Sequence, residues 1–491
     1  MIHDLIFRNK YKKFLLITVI SVVIGYFSVI IGELNETISG KGTIILLISL
    51  INFFIILFYI KSRFRKSKDF MDFGIIFSLF FIAYNIVLLL NVSFNFIFLG
   101  FNENSYPVDF EEDVYVKSSV VTFLACLGLL LGEKIIVLGR NDKFVKPFLN
   151  NKLNSKVYYI SGIVVFLLGL FLLFLDFERI GGFYYALTLE RGVRMELLSQ
   201  TRGNIPYYSF IYSGVALLTY SLGNLRLRSV KGTLLVALLA IWSVLMLIQG
   251  DRRLLLYSLL IFASVYLFNK KINIKKNLAL VSILYILFAF FQQIRYMIPL
   301  ILNGTLSLFD AISRIQKDFN IEWVLPVSTE VAGPYFTLLW HLKYDFTPLY
   351  GYSYIMSIPN ILPRILYPGE KPLTIAQSFA NYIHDVYYPF RESVIGWGFS
   401  PIAEAYINFG VIGVFIIFLL LSVLFKGISK IKWETNHGIL IASILIPQAF
   451  NLNRINFSSV VQETFFNLLI LILSIFVTNI VFNIKGYKTR S

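Results

Sequence analysis

A single cysteine, Cys126, set within an apolar run, leaves the chain with no intrachain disulfide and no cysteine-based metal site. Histidine is nearly as scarce, with four among 491 residues, and charged residues make up only 15%. Three motifs of common chemistries are missing: GxxxxGK followed by Ser or Thr, HExxH and GxSxG. Their absence excludes the usual nucleotide phosphate loop, the zinc-protease helix and the serine-hydrolase elbow. No carboxylate cluster has metal-ligand spacing beyond the weak pair Asp176 and Glu178, so no metal and no cofactor is expected. Internal repeats and low-complexity tracts are also missing, which counts against transporter folds built from two like halves.

Apolar sequence is what the chain has in excess. At 57% hydrophobic residues and a mean hydropathy of +0.73, it exceeds the ~45–50% of a soluble globule, and lipid is its natural solvent. Apolar windows of about 20 residues fall near 14–32, 43–60, 73–92, 114–132, 157–176, 206–222, 232–250, 254–269, 278–294, 401–425, 437–452 and 460–483. The segment SFNFIFLG at 93–100 either extends the third window or re-enters the bilayer. The first stretch, Phe14 to Ile31, follows Arg8, Lys10, Lys12 and Lys13. It is longer than a signal-peptide core and reads as a retained helix. The expectation is an all-α polytopic membrane protein of about 12 transmembrane helices. Residues 1–294 carry helices one to nine, and 396–491 carry ten to twelve. Between them, residues 295–395 form a large external loop, rich in Tyr, Trp, Phe and Pro, that folds as a partly helical cap.

Charge sets the orientation. With the N-terminus inside, the inner segments are 1–13, 61–72, 133–156, 223–231, 270–277, 426–436 and the tail from Lys485. They hold 28 of the 44 Lys and Arg but 6 of the 28 acids. Both termini are therefore expected in the cytoplasm, and the net charge of +16 is a topology signal rather than a nucleic-acid surface. The two sides also differ in kind. Inner segments carry 21 Lys and 7 Arg, the rest 5 Lys and 11 Arg. Topology is served by either residue, whereas Arg adds the planar fork that binds phosphate or carboxylate. Pairing with the abundant outer acids is the alternative.

Four constellations gather on the outer side. In Gly250-Asp251-Arg252-Arg253, Gly250 ends one helix and Asp251 caps the next, which puts Arg252 and Arg253 in a first turn. The macrodipole disfavours cations there unless an anion binds; snorkelling to headgroups is the other reading. The loop 177–205 holds Arg179, Arg191, Arg194 and Arg202, alternating with Glu178, Glu190 and Glu196, so local ion pairs compete with phosphate binding. From Pro372 to Tyr388 an amphipathic helix has Ala376, Phe379, Ala380 and Ile383 on one face. Gln377, Asn381 and His384 form a polar stripe with Tyr388 beyond, suited to sugar hydroxyls, and His384 beside Asp385 is a candidate general base. A solvated surface helix gives the same pattern. His341, after Trp340, reads as a packing residue. Finally, Ser400 and Pro401 make a clean helix start, and Glu404 one turn inside is either a second base or an ion-pair partner of Arg391. Arg295 and Arg391, at the two ends of the loop, complete the diphosphate-binding candidates.

Nucleotides are scarce outside the cytoplasm, so a synthetic enzyme acting there needs a pre-activated substrate, and lipid-diphosphate-linked sugars are one. The twelve-window layout, the long loop, QGDRR at 249–253, STEVAGPY at 328–335 and GWGFSPIAEAYINFGVIG at 396–413 resemble the Wzy-type polysaccharide polymerases, the oligosaccharide repeat unit polymerases. The resemblance covers most of the chain, as a pattern more than as strict motifs. It implies a metal-independent, inverting glycosyltransferase of the bacterial cytoplasmic membrane. Such an enzyme joins repeat units carried on undecaprenyl diphosphate into O-antigen or capsule-type polysaccharide. A flippase and a chain-length regulator are implied pathway partners. Some family members carry an Arg-x10-Gly pattern in external loops; no external Arg here has Gly at that spacing, so no residue is carried over on that basis. A ligase that moves finished glycan to another acceptor would look alike, and a lipid-glycan flippase also has about twelve spans.

Overall fold

The computed structural model describes residues 40–94, 110–135, 152–189, 206–223, 229–268, 300–317, 329–344, 346–362, 371–387, 396–434 and 437–488, with a few isolated positions between them. Among the described residues every regular element is helical and there is no strand. In chain order the helices are α1 (Gly40–Ser67), α2 (Phe73–Phe94), α3 (Glu112–Ile135), α4 (Lys152–Arg179), α5 (Tyr207–Leu222), α6 (Val230–Ile248) and α7 (Arg252–Tyr266). Then come α8 (Leu308–Lys317), α9 (Thr329–Lys343), α10 (Ile375–Tyr387), α11 (Pro401–Glu434), α12 (Gly438–Asn451) and α13 (Phe457–Lys488).

Seven of the described helices, α1, α2, α3, α4, α6, α11 and α13, are long and apolar enough to cross a membrane. The windows at 206–222, 254–269 and 437–452 form α5, α7 and α12, which at 16, 15 and 14 residues are shorter than a full span. The windows at 14–32 and 278–294 lie outside the described residues.

Two apolar cores organise the bundle. One joins α1, α2, α3, α9, α10 and α11 around Tyr59, Phe77, Phe81, Tyr115, Phe336 and Phe418. The other joins α4, α5, α6, α7 and α12 around Phe166, Tyr212, Trp242, Tyr257 and Ile444. Lipid gives helices no hydrophobic reason to associate, so close backbone packing between small residues matters more. Gly128 and Gly132 of α3 supply it against α11: an added Cβ would lie 2.5 Å from the Phe415 carbonyl oxygen or 2.6 Å from that of Leu419.

The two ends of the bundle differ in chemistry. At the C-terminal end of α11, buried Arg63 of α1 grips Asp72 through two of its nitrogens at 2.8–3.0 Å and Glu133 of α3 at 3.0 Å. Lys66 pairs with the other Glu133 oxygen at 2.8 Å, Lys432 pairs with Asp69, and Asp72 also accepts from Gly74 N at 2.9 Å to cap α2. Four helices are clamped there by charges that are individually costly to bury and therefore fully paired. Asp69, Asp72 and Glu133, three acids of the lysine-rich segments, are thus partners of bases in those segments.

The opposite end collects helix starts. α11 begins at Pro401, as its sequence suggests, with Ser400 Oγ accepting from Ile402 N at 3.2 Å. It is broken at Gly410, whose φ of 66° and ψ of −162° are open to glycine, so its first two turns stand apart from the long shaft. Ser400 Oγ also donates to Asn85 Oδ1 at 3.1 Å, beside the π-helical turn Ile82–Ile86 of α2. Such turns often sit next to functional sites.

Candidate functional site

Residues 249–253 turn sharply between α6 and α7. Gly250, at φ 69°, donates to Leu247 O at 3.0 Å, and Asp251 N reaches back to Met246 O at 2.9 Å. This pair of bonds is the glycine-ended helix stop expected from the sequence. Asp251 is the first flanking residue of α7, yet its side chain makes no capping bond. The turn delivers Arg253 to α13, where its Nη1 donates to Glu463 Oε1 at 2.8 Å. The other Glu463 oxygen accepts from Asn451 Nδ2 at 2.6 Å, and the same Asn451 nitrogen reaches Gln448 Oε1 at 2.9 Å. Arg253 lies over the Tyr257 ring at 5.9 Å. Its Nε and Nη2 donors have no partner among the described residues, and its side chain is 27% exposed.

A second guanidinium lies against Phe450, whose ring is 6.1 Å from that of Tyr257. The turn after α12 presents Arg454 over the Phe450 ring at 5.8 Å, half-buried and with no carboxylate partner among the described residues. Its backbone is held on several sides. Arg454 N donates to Asn451 O at 2.8 Å, and Arg454 O accepts from Phe399 N at 2.8 Å. Asn453 Nδ2 reaches Phe77 O at 3.2 Å. Gly398 lies so close that a Cβ there would be 2.5 Å from Arg454 O and 2.9 Å from Pro334. A Cβ on Gly333 would meet Trp397 O at 2.8 Å. The segments 249–253, 329–335 and 396–413, far apart in the chain, are therefore tied around one turn, 451–456: the first through Glu463 and Asn451, the third directly, and the second against Gly398 and Trp397.

Other candidates fall into distinct places. Arg252 is half-buried in the first turn of α7. Arg194 is 3% exposed and donates to Ala186 O at 3.2 Å and to Gln249 O, which makes it a strut under the 249–253 turn. Arg179 pairs with Asp176 at 3.4 Å, a local ion pair of the kind expected in that loop, though with a different acid. Arg191, Arg202, Arg295, Arg391 and Tyr388 lie outside the described residues.

Helix α10 buries Phe379, Ala380 and Ile383, the apolar face read from its periodicity. Its polar stripe is not uniform. Gln377 Oε1 accepts from Thr374 N at 2.9 Å while Gln377 N donates to Thr374 Oγ1 at 3.3 Å, a reciprocal capping box. That gives Gln377 a local structural task that sequence reasoning had not assigned. Asn381 is exposed; His384 is half-buried, with Nδ1 lacking a partner among the described residues. Beneath them, buried His341 packs on Phe346, Phe379 and Phe399 and bonds Thr337 O through Nδ1, so it serves packing. Burial pushes its imidazole down to about 4, against the upward pull of that hydrogen bond.

Glu404 is 2% exposed and both its oxygens are engaged. Ser353 Oγ donates to one at 2.8 Å, and Phe457 N, the first amide of α13, donates to the other at 2.7 Å. The carboxylate so caps α13, where the macrodipole favours a negative charge. Its nearest sequence partner, Arg391, is outside the described residues; the partners found are a hydroxyl and a helix amide.

Sequence reasoning missed Arg454, Glu463 and their amide neighbours. Signals existed: Gln448, Asn451, Asn453 and Asn456 crowd one helix end, and Glu463 sits two turns into an apolar helix, as anomalous there as Glu404. Among the described residues no group of three or more His, Cys, Asp or Glu side chains could hold a metal ion.

Comparison with known proteins agrees with the pattern. A curated relative, Protein CapE of Staphylococcus aureus, is 26% identical over 438 residues, covering 84% of this chain and 84% of its own. No solved structure matches. The model of the O-antigen polysaccharide polymerase Wzy family matches residues 17–485, and the chain belongs to that family.

Proposed function

We propose that the protein joins lipid-diphosphate-linked oligosaccharide repeat units into an O-antigen or capsule-type polysaccharide on the external face of the bacterial cytoplasmic membrane. The observation that carries this reading is the pair Arg253 and Arg454. Arg253 lies over Tyr257 and Arg454 over the neighbouring Phe450 ring, where the three family-like segments are tied together, at the bundle end opposite the lysine-rich clamp. In this reading about twelve helices span the membrane, residues 295–395 lie outside, and both termini lie in the cytoplasm. The 28-to-16 division of basic residues supports that orientation.

The chemistry follows from the substrate. The acceptor hydroxyl attacks the anomeric carbon from the face opposite the lipid diphosphate, with inversion. Diphosphate is a good leaving group, so no strong acid and no metal is needed, only fixed positive charge. Arg253 and Arg454 supply it with Arg252, and Arg191, Arg295 and Arg391 extend the anion path; Arg194 acts by bracing the turn. His384 takes the acceptor proton, a role supported by its unengaged Nδ1. Asn381, Tyr388 and the free amide nitrogen of Gln377 bind glycan. Glu404, with both oxygens committed, is the second choice of base.

A ligase would use the same machinery on a different acceptor. A flippase fits less well, because the buried charges of the described helices gather at the two bundle ends rather than along a central path. Purified protein mixed with lipid-diphosphate-linked repeat units should yield a ladder of polymer lengths. Repeat units returned unchanged by folded protein would overturn the proposal, and transfer to a foreign acceptor without a ladder would favour the ligase.

A further inference from the structure

Tyr257 follows Arg253 by one turn of α7, on the same face. Its ring is packed between Tyr212 at 5.6 Å and Phe450 at 6.1 Å, and the residue is 1% exposed. The hydroxyl has no hydrogen-bond partner among the described residues. Arg253 lies over this ring at 5.9 Å, and Arg454 lies over the adjoining Phe450 ring at 5.8 Å. Burying an unpartnered hydroxyl destabilises a protein, and phenylalanine would fill the same space without that penalty. Tyr212, the neighbour in the stack, is different: its hydroxyl donates to Leu254 O at 3.5 Å. One tyrosine of the stack has a use for its oxygen within the fold, and the other, lying among the guanidiniums, does not.

We propose that the Tyr257 hydroxyl donates a hydrogen bond to the diphosphate of the lipid-linked donor substrate, uncovered when the Arg253 fork, still held to Glu463 through Nη1, swings off the ring onto that anion. The inference rests on the polymerase reading above. In the step it serves, the bond from the anomeric carbon to the phosphate oxygen breaks and the lipid diphosphate leaves with the electron pair. The acceptor oxygen bonds to the anomeric carbon, and its proton passes to the base. Tyr257 keeps its own proton throughout; it strengthens a hydrogen bond as charge builds on the leaving oxygen. Arg253 now lies over the ring, held by Glu463 through Nη1, and the residue is 1% exposed.

The test compares purified wild-type protein, Tyr257→Phe and Tyr212→Phe, measuring thermal midpoint together with kcat and KM for ladder formation from lipid-diphosphate-linked repeat units. Tyr257→Phe should melt no lower than wild type yet polymerise about 10²-fold more slowly, chiefly in kcat, as expected for one donor to developing charge. Tyr212→Phe should melt lower and polymerise at close to the wild-type rate. A Tyr257→Phe protein of wild-type activity would refute the role. So would one with a lowered midpoint, because the hydroxyl would then have a partner inside the fold. If wild-type protein makes no ladder, the polymerase reading itself fails, and the tyrosine's role with it.

Discussion

Replacing Arg253 by lysine separates charge from geometry at the proposed anion site. Arginine would commit only its Nη1 to Glu463, at 2.8 Å, and offer Nε and Nη2 to a phosphate as a fork. Lysine keeps a positive charge beside Glu463 but presents a point charge with no planar edge. Alanine would be the wrong probe: Glu463 is only 16% exposed, and stripping a part-buried carboxylate of its cation confounds activity with folding. A hydrogen bond to a charged group contributes about 1.5–3 kcal/mol. Loss of one such bond at a diphosphate oxygen, at about 1.4 kcal/mol per decade, should lower kcat/KM for ladder formation about 10- to 100-fold. If the fork binds diphosphate equally in ground and transition states, the loss appears in KM; if it engages mainly the departing charge, it appears in kcat. Expression and thermal midpoint should stay near wild type. Full activity in both Arg252→Lys and Arg253→Lys, in protein of normal stability, would refute the reasoning and leave headgroup snorkelling and the Glu463 pair as the whole account of these residues.

Reporter fusions after Asn320 and after Lys485 should read external and cytoplasmic respectively; a cytoplasmic reading at Asn320 overturns the external cap and all chemistry assigned to it. His384→Ala should slow polymerisation by about 10²–10⁴-fold, the usual worth of a general base, without changing the thermal midpoint. Glu404→Gln should behave otherwise: it removes the negative charge that caps α13, and with the amide oxygen turned to Phe457 N–H the Ser353 hydroxyl loses the carboxylate it donates to, so the midpoint should fall. Should Glu404→Gln protein melt normally and fail to polymerise while His384→Ala works, the base is Glu404. Arg63→Met would leave Asp72 and part of Glu133 buried without their cation. A loss of about 3–5 kcal/mol is expected, read in detergent unfolding; an unchanged midpoint would mean the clamp is hydrated.

The sequence alone was enough for the broad character of the molecule. Hydropathy and charge are properties of contiguous residues, so the apolar helices and the lysine-rich segments between them could be read directly. Local structure within one or two helical turns was legible for the same reason. Ser400 and Pro401 start α11, Gly250 ends α6, and the period of Phe379, Ala380 and Ile383 marks the buried face of α10. The Thr374–Gln377 capping box was just as local, but its residues also suit sugar, and composition does not separate the two uses. What the chain could not disclose was which distant groups share a helix end. Arg253 meets Glu463 across 210 positions, and Glu404 meets Phe457 across 53. Arg454 gains significance only because Gly398, Pro334 and Phe450 close around its turn. Helix periodicity sets the face a side chain occupies, but only packing in three dimensions brings one face against another, and that contact decides whether a buried Arg or Glu is a strut, a cap or a binding group.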